Sequence, residues 1–202
     1  MEARQIRTDI RYSREEYFRV LEDSLHKYEF LDGRLLMMAG GTAAHNDIID
    51  NLGYALRSAE HDCFIKGSEN AVSIRELNRY YFPDTTAVCA DSVEYEPGGG
   101  IARLINPALI VEVLSQKTAE YDRSEKFAAY RRLESFREYI LIDSRKCAIE
   151  SYYRQDRNSW QIGSFYRMDQ VLPIQTLGIQ IPLTKLYEGV ALPDVDPEDG
   201  LN

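Results

Sequence analysis

The chain has 202 residues, of which 44% are hydrophobic, enough for one folded core with at most a small appendage. A charged fraction of 28% together with 14 tyrosines excludes a largely disordered chain, and no apolar run approaches the length that spans a bilayer. The polar opening residues, MEARQIRTDIRYS, lack the apolar core of a secretory signal, so we expect a cytoplasmic protein.

The net charge of −9 argues against a nucleic-acid partner, because a protein that binds phosphates normally presents a basic face. Five of the acids lie between Glu188 and the C-terminal end, and removing them leaves −4 for the rest of the chain. Eight basic residues lie between Lys117 and Lys146. The charge distribution therefore permits a nucleic-acid partner, although it counts against tight binding to DNA.

The three cysteines, Cys63, Cys89 and Cys147, are widely spaced and form no CxxC pair. This spacing favours reduced, mostly buried thiols over a disulfide framework or a zinc site.

The N-terminal part of the sequence predicts two helices and several short strands. Ser13 begins the capping box S-R-E-E, which predicts a helix over 13–24. The segment HKYEFLDGRLLMM indicates a hairpin that turns at Asp32-Gly33. Thr42 can cap a second helix that runs to about Glu60, and CFIKGSENAVSIRE predicts two more short strands.

The middle of the sequence predicts a buried sheet with a helical crossover. The segment YYFPDTTAVCA indicates one strand, interrupted early by Pro83, between loops at 78–80 and 96–100. PALIVEVLS is the continuous apolar run of a central strand, a helix follows from Thr118 to about Leu133, and REYILID is a second apolar strand. A strand, a helix and a strand in this order predict a parallel crossover.

The C-terminal part predicts an antiparallel strand pair, AIESYYR and SWQIGSFYR, and then a Pro-rich acidic end. We expect a single domain over residues 1–187 and an acidic, flexible tail over residues 188–202.

Two carboxylates in this predicted sheet are candidate ligands for a metal ion. Glu112 lies inside PALIVEVLS, where a charged group loses hydration and needs a partner or a metal ion; the alternative is a Glu paired with a nearby Arg. Asp84 follows Pro83 in the strand expected beside it, although a Pro-Asp turn is the common alternative. Two adjacent carboxylates repel unless a cation lies between them, and oxygen ligands favour Mg²⁺ or Mn²⁺.

The order PD at 83–84, then E-V-L at 112–114, then a helix resembles the PD-(D/E)XK nuclease superfamily. More narrowly, the chain resembles the Uma-two family of restriction endonucleases through YEFLDGRLLMMAGGTAAHN, YYFPDTTAV, LIVEVLSQKTAEYDRSEKFAAYR and REYILID. The resemblance implies an α/β, restriction-endonuclease-like fold with a central mixed β-sheet flanked by helices and an N-terminal helix and hairpin. It also implies divalent-metal-dependent hydrolysis of phosphodiester bonds in DNA, with Asp84 and Glu112 as metal ligands.

The chain departs from the superfamily at one position, because Leu114 stands where the pattern places a Lys. The resemblance to the narrower family offers Lys126 in DRSEK as the replacement. The alternative for Lys126 is a solvated side chain that pairs with Asp122 at i,i+4. Lys117, in the loop after the strand, is a second candidate.

Further residues can complete the site. The resemblance makes Glu29, in the first hairpin, a third carboxylate, although a hairpin Glu can equally face solvent. His45, near the start of the second helix, could contact a phosphate or assist proton transfer, but a structural role is the more common one. Tyr130, on the helix of Lys126, is expected to pack.

Three functions remain open on this basis. The first is a metal-dependent endonuclease that acts on DNA as a homodimer, since symmetric dimers are the commonest assembly. The second is a catalytically degenerate nuclease fold that serves as a module for binding or assembly, which Leu114 and the acidic balance favour. The third is a metal hydrolase that acts on another phosphate ester, and the shared metal chemistry does not separate it from the first.

Overall fold

The computed structural model describes residues 10–98 and 100–192. Their α-helices are α1 (Arg14–Asp23), α2 (Ala43–Ser58), α3 (Ala119–Tyr121), α4 (Phe127–Tyr130) and α5 (Leu183–Leu186). Their strands are β1 (Tyr28–Leu31), β2 (Arg34–Met37), β3 (Phe64–Gly67), β4 (Ala71–Ile74), β5 (Arg79–Tyr81), β6 (Thr85–Val88), β7 (Arg103–Leu104), β8 (Leu109–Leu114), β9 (Glu138–Asp143), β10 (Ile149–Arg154), β11 (Trp160–Phe165), β12 (Val171–Ile174) and β13 (Ile179–Pro182). The mixed α/β architecture with helices flanking the sheet is confirmed.

The N-terminal helix and hairpin form as their local signals predict. The Ser13 hydroxyl accepts a hydrogen bond from the Glu16 N–H, and the Glu16 carboxylate accepts one from the Ser13 N–H, which completes the capping box. Asp32 and Gly33 both adopt positive φ, at 49° and 89°, as the turn between β1 and β2 requires.

Five strands form a small sheet in the order β2-β1-β5-β4-β7, and six form a large sheet in the order β11-β10-β9-β8-β6-β3. The prediction of one strand through YYFPDTTAVCA is therefore wrong, as is the loop at 78–80, because β5 and β6 belong to different sheets. Pro83 lacks the N–H that would continue a strand ladder, so the chain leaves the small sheet at Tyr81 and joins the large sheet at Thr85. Asp84 lies in this passage between the sheets.

The parallel pair of β8 and β9 is the centre of the large sheet, and every residue of both strands is buried. One face packs against α2 and α5, where Val111 and Val113 meet Leu52. The other face packs against the small sheet and α4, where Ile110 and Leu114 are buried. The predicted parallel crossover is confirmed, and it places Glu112, which alternates with Val111 and Val113, on the face that meets the small sheet.

The crossover helix departs from the prediction in its middle. Between α3 and α4 the chain forms a π-helical segment, Asp122–Lys126, and α4 ends at Tyr130 rather than near Leu133. Local π-helical turns of this kind occur frequently at functional sites.

Both ends of the chain include positions outside the described residues. Residues 1–9 of the polar opening segment lie outside the described residues, and so do residues 193–202 of the predicted acidic tail. Within the described range, Val190 and Leu192 pack against the core that α2 forms with the large sheet. No helix in the described ranges combines the length and apolar character needed to cross a membrane.

The expectation of reduced thiols is wrong for two of the three cysteines, because Cys63 and Cys89 form a disulfide. Phe64 of β3 pairs with Val88 of β6, so the cysteines that flank this pair face each other across the two strands, with Cα atoms 4.3 Å apart. Their spacing in sequence does not reveal this cross-strand register. Cys147 is a free, half-buried thiol. The cytoplasmic location of the protein stays a prediction.

The disulfide joins residues that are 26 positions apart, so it should restrict the unfolded chain. Cys89→Ser should lower the free energy of unfolding by about 3 kcal/mol, measured by urea denaturation under oxidising conditions. Cys147→Ser is the matched control and should keep the parent's stability. A parent protein whose stability is the same with and without reductant would contradict this prediction.

Candidate active site

A buried cluster of charged side chains surrounds the ammonium group of Lys126. The Nζ atom lies 3.1 Å from Oε1 of Glu112, 3.2 Å from Oε1 of Glu29 and 3.1 Å from Oδ1 of Asp122. The four residues are almost fully buried, with exposures between 2% and 5%. Lys126 is therefore not the solvated side chain of the alternative interpretation, although its pairing with Asp122 is present.

Three parts of the fold supply these side chains. Glu112 comes from β8 of the large sheet and Glu29 from β1 of the small sheet, while Asp122 and Lys126 come from the two ends of the π-helical segment. The Tyr139 hydroxyl donates to the Asp122 carbonyl at 3.0 Å, which ties this segment to β9. The cluster therefore forms only when both sheets and the crossover helix pack together.

Two tyrosine hydroxyls complete the hydrogen bonding of the cluster. Tyr130 donates to Oε1 of Glu112 at 2.9 Å, and Tyr121 donates to Oε2 of Glu29 at 2.9 Å. The sequence predicts only a packing role for Tyr130, and Tyr121 stands outside the predicted site. The spacing of Asp122, Lys126 and Tyr130 by four residues puts them on one helical face and could have indicated the role of Tyr130.

The cluster carries more negative than positive charge. With all groups ionised, the carboxylates of Glu29, Glu112 and Asp122 and the one ammonium of Lys126 leave a net charge of −2. Burial raises the pKa of Glu112 well above its ordinary value; the Lys126 ammonium opposes this shift, and the neighbouring carboxylates add to it. Burial lowers the pKa of Lys126, but the surrounding carboxylates outweigh it and raise that pKa well above its usual value. The site thus favours uptake of a further positive charge.

Asp84 lies at the edge of this cluster, between the two sheets. Thr85 of β6 pairs with Val111 of β8, so Asp84 and Glu112 come next at the end of the paired strands. Oδ2 of Asp84 accepts a hydrogen bond of 2.7 Å from the N–H of Val113. Repulsion from Asp84 is among the causes that raise the pKa of Glu112, so the two carboxylates interact electrostatically.

His45 approaches Asp84 from the first turn of α2, with Nε2 3.5 Å from Oδ2. Burial of the imidazole opposes its protonation, but the hydrogen bond and the charge of Asp84 outweigh this and raise the pKa of His45. The structure therefore joins His45 to the carboxylates. Lys117 is exposed in the loop after β8, whereas Leu114 is buried in the core between the sheets.

The candidate ligands Asp84 and Glu112 offer carboxylate oxygens, which hard divalent cations prefer. In the described part of the chain, the side-chain contacts found for Asp84 fall on Oδ2 and those for Glu112 fall on Oε1. Each carboxylate thus keeps a second oxygen with which it could bind an ion. Over residues 10–98 and 100–192, however, no group of three or more His, Cys, Asp or Glu side chains has an arrangement that could hold a metal ion.

Comparison with known proteins assigns the chain to a family. The sequence model of the Uma2 (Uma-two) family, described as "Putative restriction endonuclease", matches residues 14–184. The chain belongs to the Uma2 family. The match includes Glu29, Asp84, Glu112 and Lys126, and so it covers every residue named above as part of the candidate site.

Two similar proteins come from Synechocystis. "Uncharacterized protein slr1290" is 28% identical over 181 residues, which are 89% of this chain and 93% of that protein. "Uncharacterized protein sll1609" is 31% identical over 149 residues, which are 72% of this chain and 82% of that protein.

A crystal structure of a "putative nuclease belonging to DUF820" from Anabaena variabilis matches with a TM-score of 0.65 at 14% identity, covering 85% of this chain and 97% of the other. The restriction-endonuclease-like fold is confirmed.

The buried ammonium should be essential for the stability of the site. Lys126→Met leaves three buried carboxylates without their cation, so the free energy of unfolding at neutral pH should fall by about 3–5 kcal/mol. The loss should shrink toward pH 5, because protonation of Glu112, whose pKa is already raised, removes unpaired charge. Urea denaturation across this pH range measures both effects.

Lys185→Met is the control for this variant. Lys185 pairs with Glu188 on the surface, where a salt bridge contributes at most about 1 kcal/mol. If the two variants lose equal stability, the charges around Lys126 are not coupled as the structure indicates.

Proposed function

We propose that this protein is a metal-dependent endonuclease that hydrolyses phosphodiester bonds in DNA. The observation that carries the proposal is the excess of three buried carboxylates over one ammonium in the cluster around Lys126, which gives a charge of −2 when all four groups are ionised. Buried carboxylates in excess of their cations are costly, and a divalent ion would supply the missing positive charge. Membership of the Uma2 family supports nuclease chemistry as the purpose of this excess of buried carboxylates.

Asp84 and Glu112 would hold the ion, which would be Mg²⁺ or Mn²⁺, because both ions prefer oxygen ligands. When bound, such an ion polarises a phosphoryl oxygen and lowers the pKa of a water molecule. Asp84 is oriented for this task by the Val113 N–H, and Glu112 by the Tyr130 hydroxyl. These hydrogen bonds restrict the rotation of both carboxylates before any ligand enters.

Lys126 would act on the charge that develops on the phosphate. Its ammonium lies 3.1 Å from Oε1 of Glu112, and Glu29 and Asp122 hold it from the other sides of the cluster. Once a phosphate has entered, a positive charge held in this way would stabilise the negative charge that develops on a pentacoordinate phosphorus. Lys126 would then replace the Lys that is missing at Leu114, with Glu29 and Tyr121 as positioning residues and Lys117 as the exposed alternative.

One observation favours the second function, a catalytically degenerate module for binding or assembly. Glu112 is only 3% exposed, and the ammonium of Lys126 occupies the space between the carboxylates, so the site is closed. Catalysis would require Lys126 or Glu112 to shift when an ion and a phosphate enter. A protein that binds DNA but never cleaves it would fit the degenerate module.

Cleavage of plasmid DNA in the presence of Mg²⁺ or Mn²⁺ tests the proposal. Asp84→Asn should weaken metal binding, measured by calorimetry, and should abolish cleavage, because it removes a charge from the proposed ligand pair. Lys126→Ala should instead lower turnover by about two to four powers of ten with little loss of metal affinity. Rates are compared per folded molecule, since Lys126 also supports stability.

Asp50→Asn is the matched control, because Asp50 is an exposed carboxylate of α2. It should cleave at the parental rate. A parent protein that leaves DNA intact with both metals would refute the nuclease proposal. If Lys126→Ala cleaves as fast as the parent, Lys117 becomes the residue to substitute.

We also propose that the protein forms a homodimer through the edge strand β11. Among the residues that the structure describes, this strand pairs only with β10, and Ile162 on it is 64% exposed. An exposed strand edge can pair with a second copy. Light scattering should return twice the monomer mass, and Ile162→Asp should return the monomer mass. Leu25→Asp changes an exposed apolar residue elsewhere and should remain dimeric; a monomeric parent at high concentration refutes the dimer.

A further inference from the structure

An arginine-lined cleft lies apart from the carboxylate cluster, between the turn that follows α4 and the β10–β11 turn. Its volume is about 730 Å³. Five arginines line it, namely Arg131, Arg132, Arg137, Arg154 and Arg157. The acidic residues that line it are Glu76, Glu134 and Asp156, which leaves a net charge of +2 for the lining. In a chain with a net charge of −9, this is a local concentration of positive charge.

The cleft lies at the start of the β8–β9 pair. The Arg137 N–H donates to the Ala108 carbonyl immediately before β8, and the Arg154 N–H donates to the Arg137 carbonyl. Glu112 lies nearer the other end of β8, so the two sites occupy different parts of the same strand pair. Arg131 directly follows Tyr130, whose hydroxyl contacts Glu112.

Two of the arginines are held in place by the fold. Arg154 donates through Nη2 to the Arg131 carbonyl at 2.8 Å and stacks over the Trp160 ring, 4.9 Å from its centroid. Arg131 lies over the Phe127 ring at 5.1 Å. Guanidinium groups fixed by stacking and carbonyl contacts lose little conformational freedom when they bind a ligand.

The three carboxylates that line the cleft balance only part of its positive charge. In the part of the chain that the structure describes, none of the five arginines forms an ion pair with an Asp or Glu within 4.0 Å. The buried Nε of Arg154 also has no hydrogen-bond acceptor among these residues. Burial lowers the pKa of Arg154, and repulsion from Arg137 and Arg131 lowers it further. Such a cluster is stabilised when an anion binds.

We propose that the cleft binds phosphate groups of a polynucleotide backbone. Guanidinium groups match the geometry of phosphate oxygens. Several guanidinium groups along one cleft suit a ligand that presents several phosphates in a row. The choice of a nucleic acid as the ligand rests on the proposed function. The cleft would supply the DNA contact that the overall negative charge otherwise opposes, while the carboxylates around Lys126 would supply the chemistry.

The test measures binding separately from cleavage. Fluorescence anisotropy of a labelled DNA duplex is recorded in EDTA over a range of salt concentrations. The double variant Arg132→Ala and Arg137→Ala removes two exposed guanidinium groups of the cleft. It should weaken binding by about ten- to a hundred-fold at 0.1 M salt and lower the slope of log affinity against log salt by about 2. The thermal unfolding midpoint of the variant verifies its fold.

The double variant Arg34→Ala and Arg57→Ala is the matched control, because it also removes two positive charges. Both residues are exposed, and neither lines the cleft. It should bind DNA as the parent does. Equal weakening in the two double variants, or no weakening in the first, overturns the proposal. Arg157→Ala, on the β10–β11 turn, provides an independent single variant that should lower the slope by about 1.

Competition distinguishes the sources of phosphate. Inorganic phosphate or a mononucleotide that displaces DNA as well as an unlabelled duplex does, at equal phosphate concentration, overturns the polynucleotide assignment. A parent protein that fails to bind DNA also overturns it. The nuclease proposal is judged apart, by cleavage with Mg²⁺: DNA that binds through the cleft but stays intact refutes the nuclease and leaves the cleft assignment standing.

Discussion

The ammonium of Lys126 is the group on which the arrangement of the candidate site depends. It lies within 3.2 Å of oxygens from Glu29, Glu112 and Asp122, which come from the small sheet, the large sheet and the π-helical segment. None of these carboxylates would be stable in the interior without a cation, so the ammonium ties the three parts of the fold together. Because one ammonium cannot neutralise three carboxylates, the same contact leaves the site prepared for another positive charge.

A second constraint is the passage of the chain from one sheet to the other. Pro83 cannot donate to a strand ladder, and the chain changes sheets between Tyr81 and Thr85. Asp84 emerges at this junction, where the Val113 N–H binds it. The two proposed metal ligands, Asp84 and Glu112, therefore lie beside the junction of the two sheets. Side chains from the small sheet and from the large sheet can converge there.

Positive and negative charges are separated along the central strand pair. The carboxylates gather around Glu112, whereas the arginines gather beside Arg137 at the start of β9. The net charge of −9 describes neither region, because electrostatic interactions with a ligand are local and are screened over about 8 to 10 Å. Binding and chemistry would thus be assigned to different surfaces of one small domain.

Local patterns in the sequence were sufficient for much of this architecture. The capping box at Ser13 predicted the first helix, the apolar runs of β8 and β9 predicted buried strands, and the order of the matching sequence blocks indicated the family. The burial of Lys126, the hydroxyl contacts of the two tyrosines and the Cys63–Cys89 disulfide were decided by tertiary structure alone. These features join residues far apart in the chain, and they depend on strand register and on which face each side chain takes, neither of which a local pattern contains.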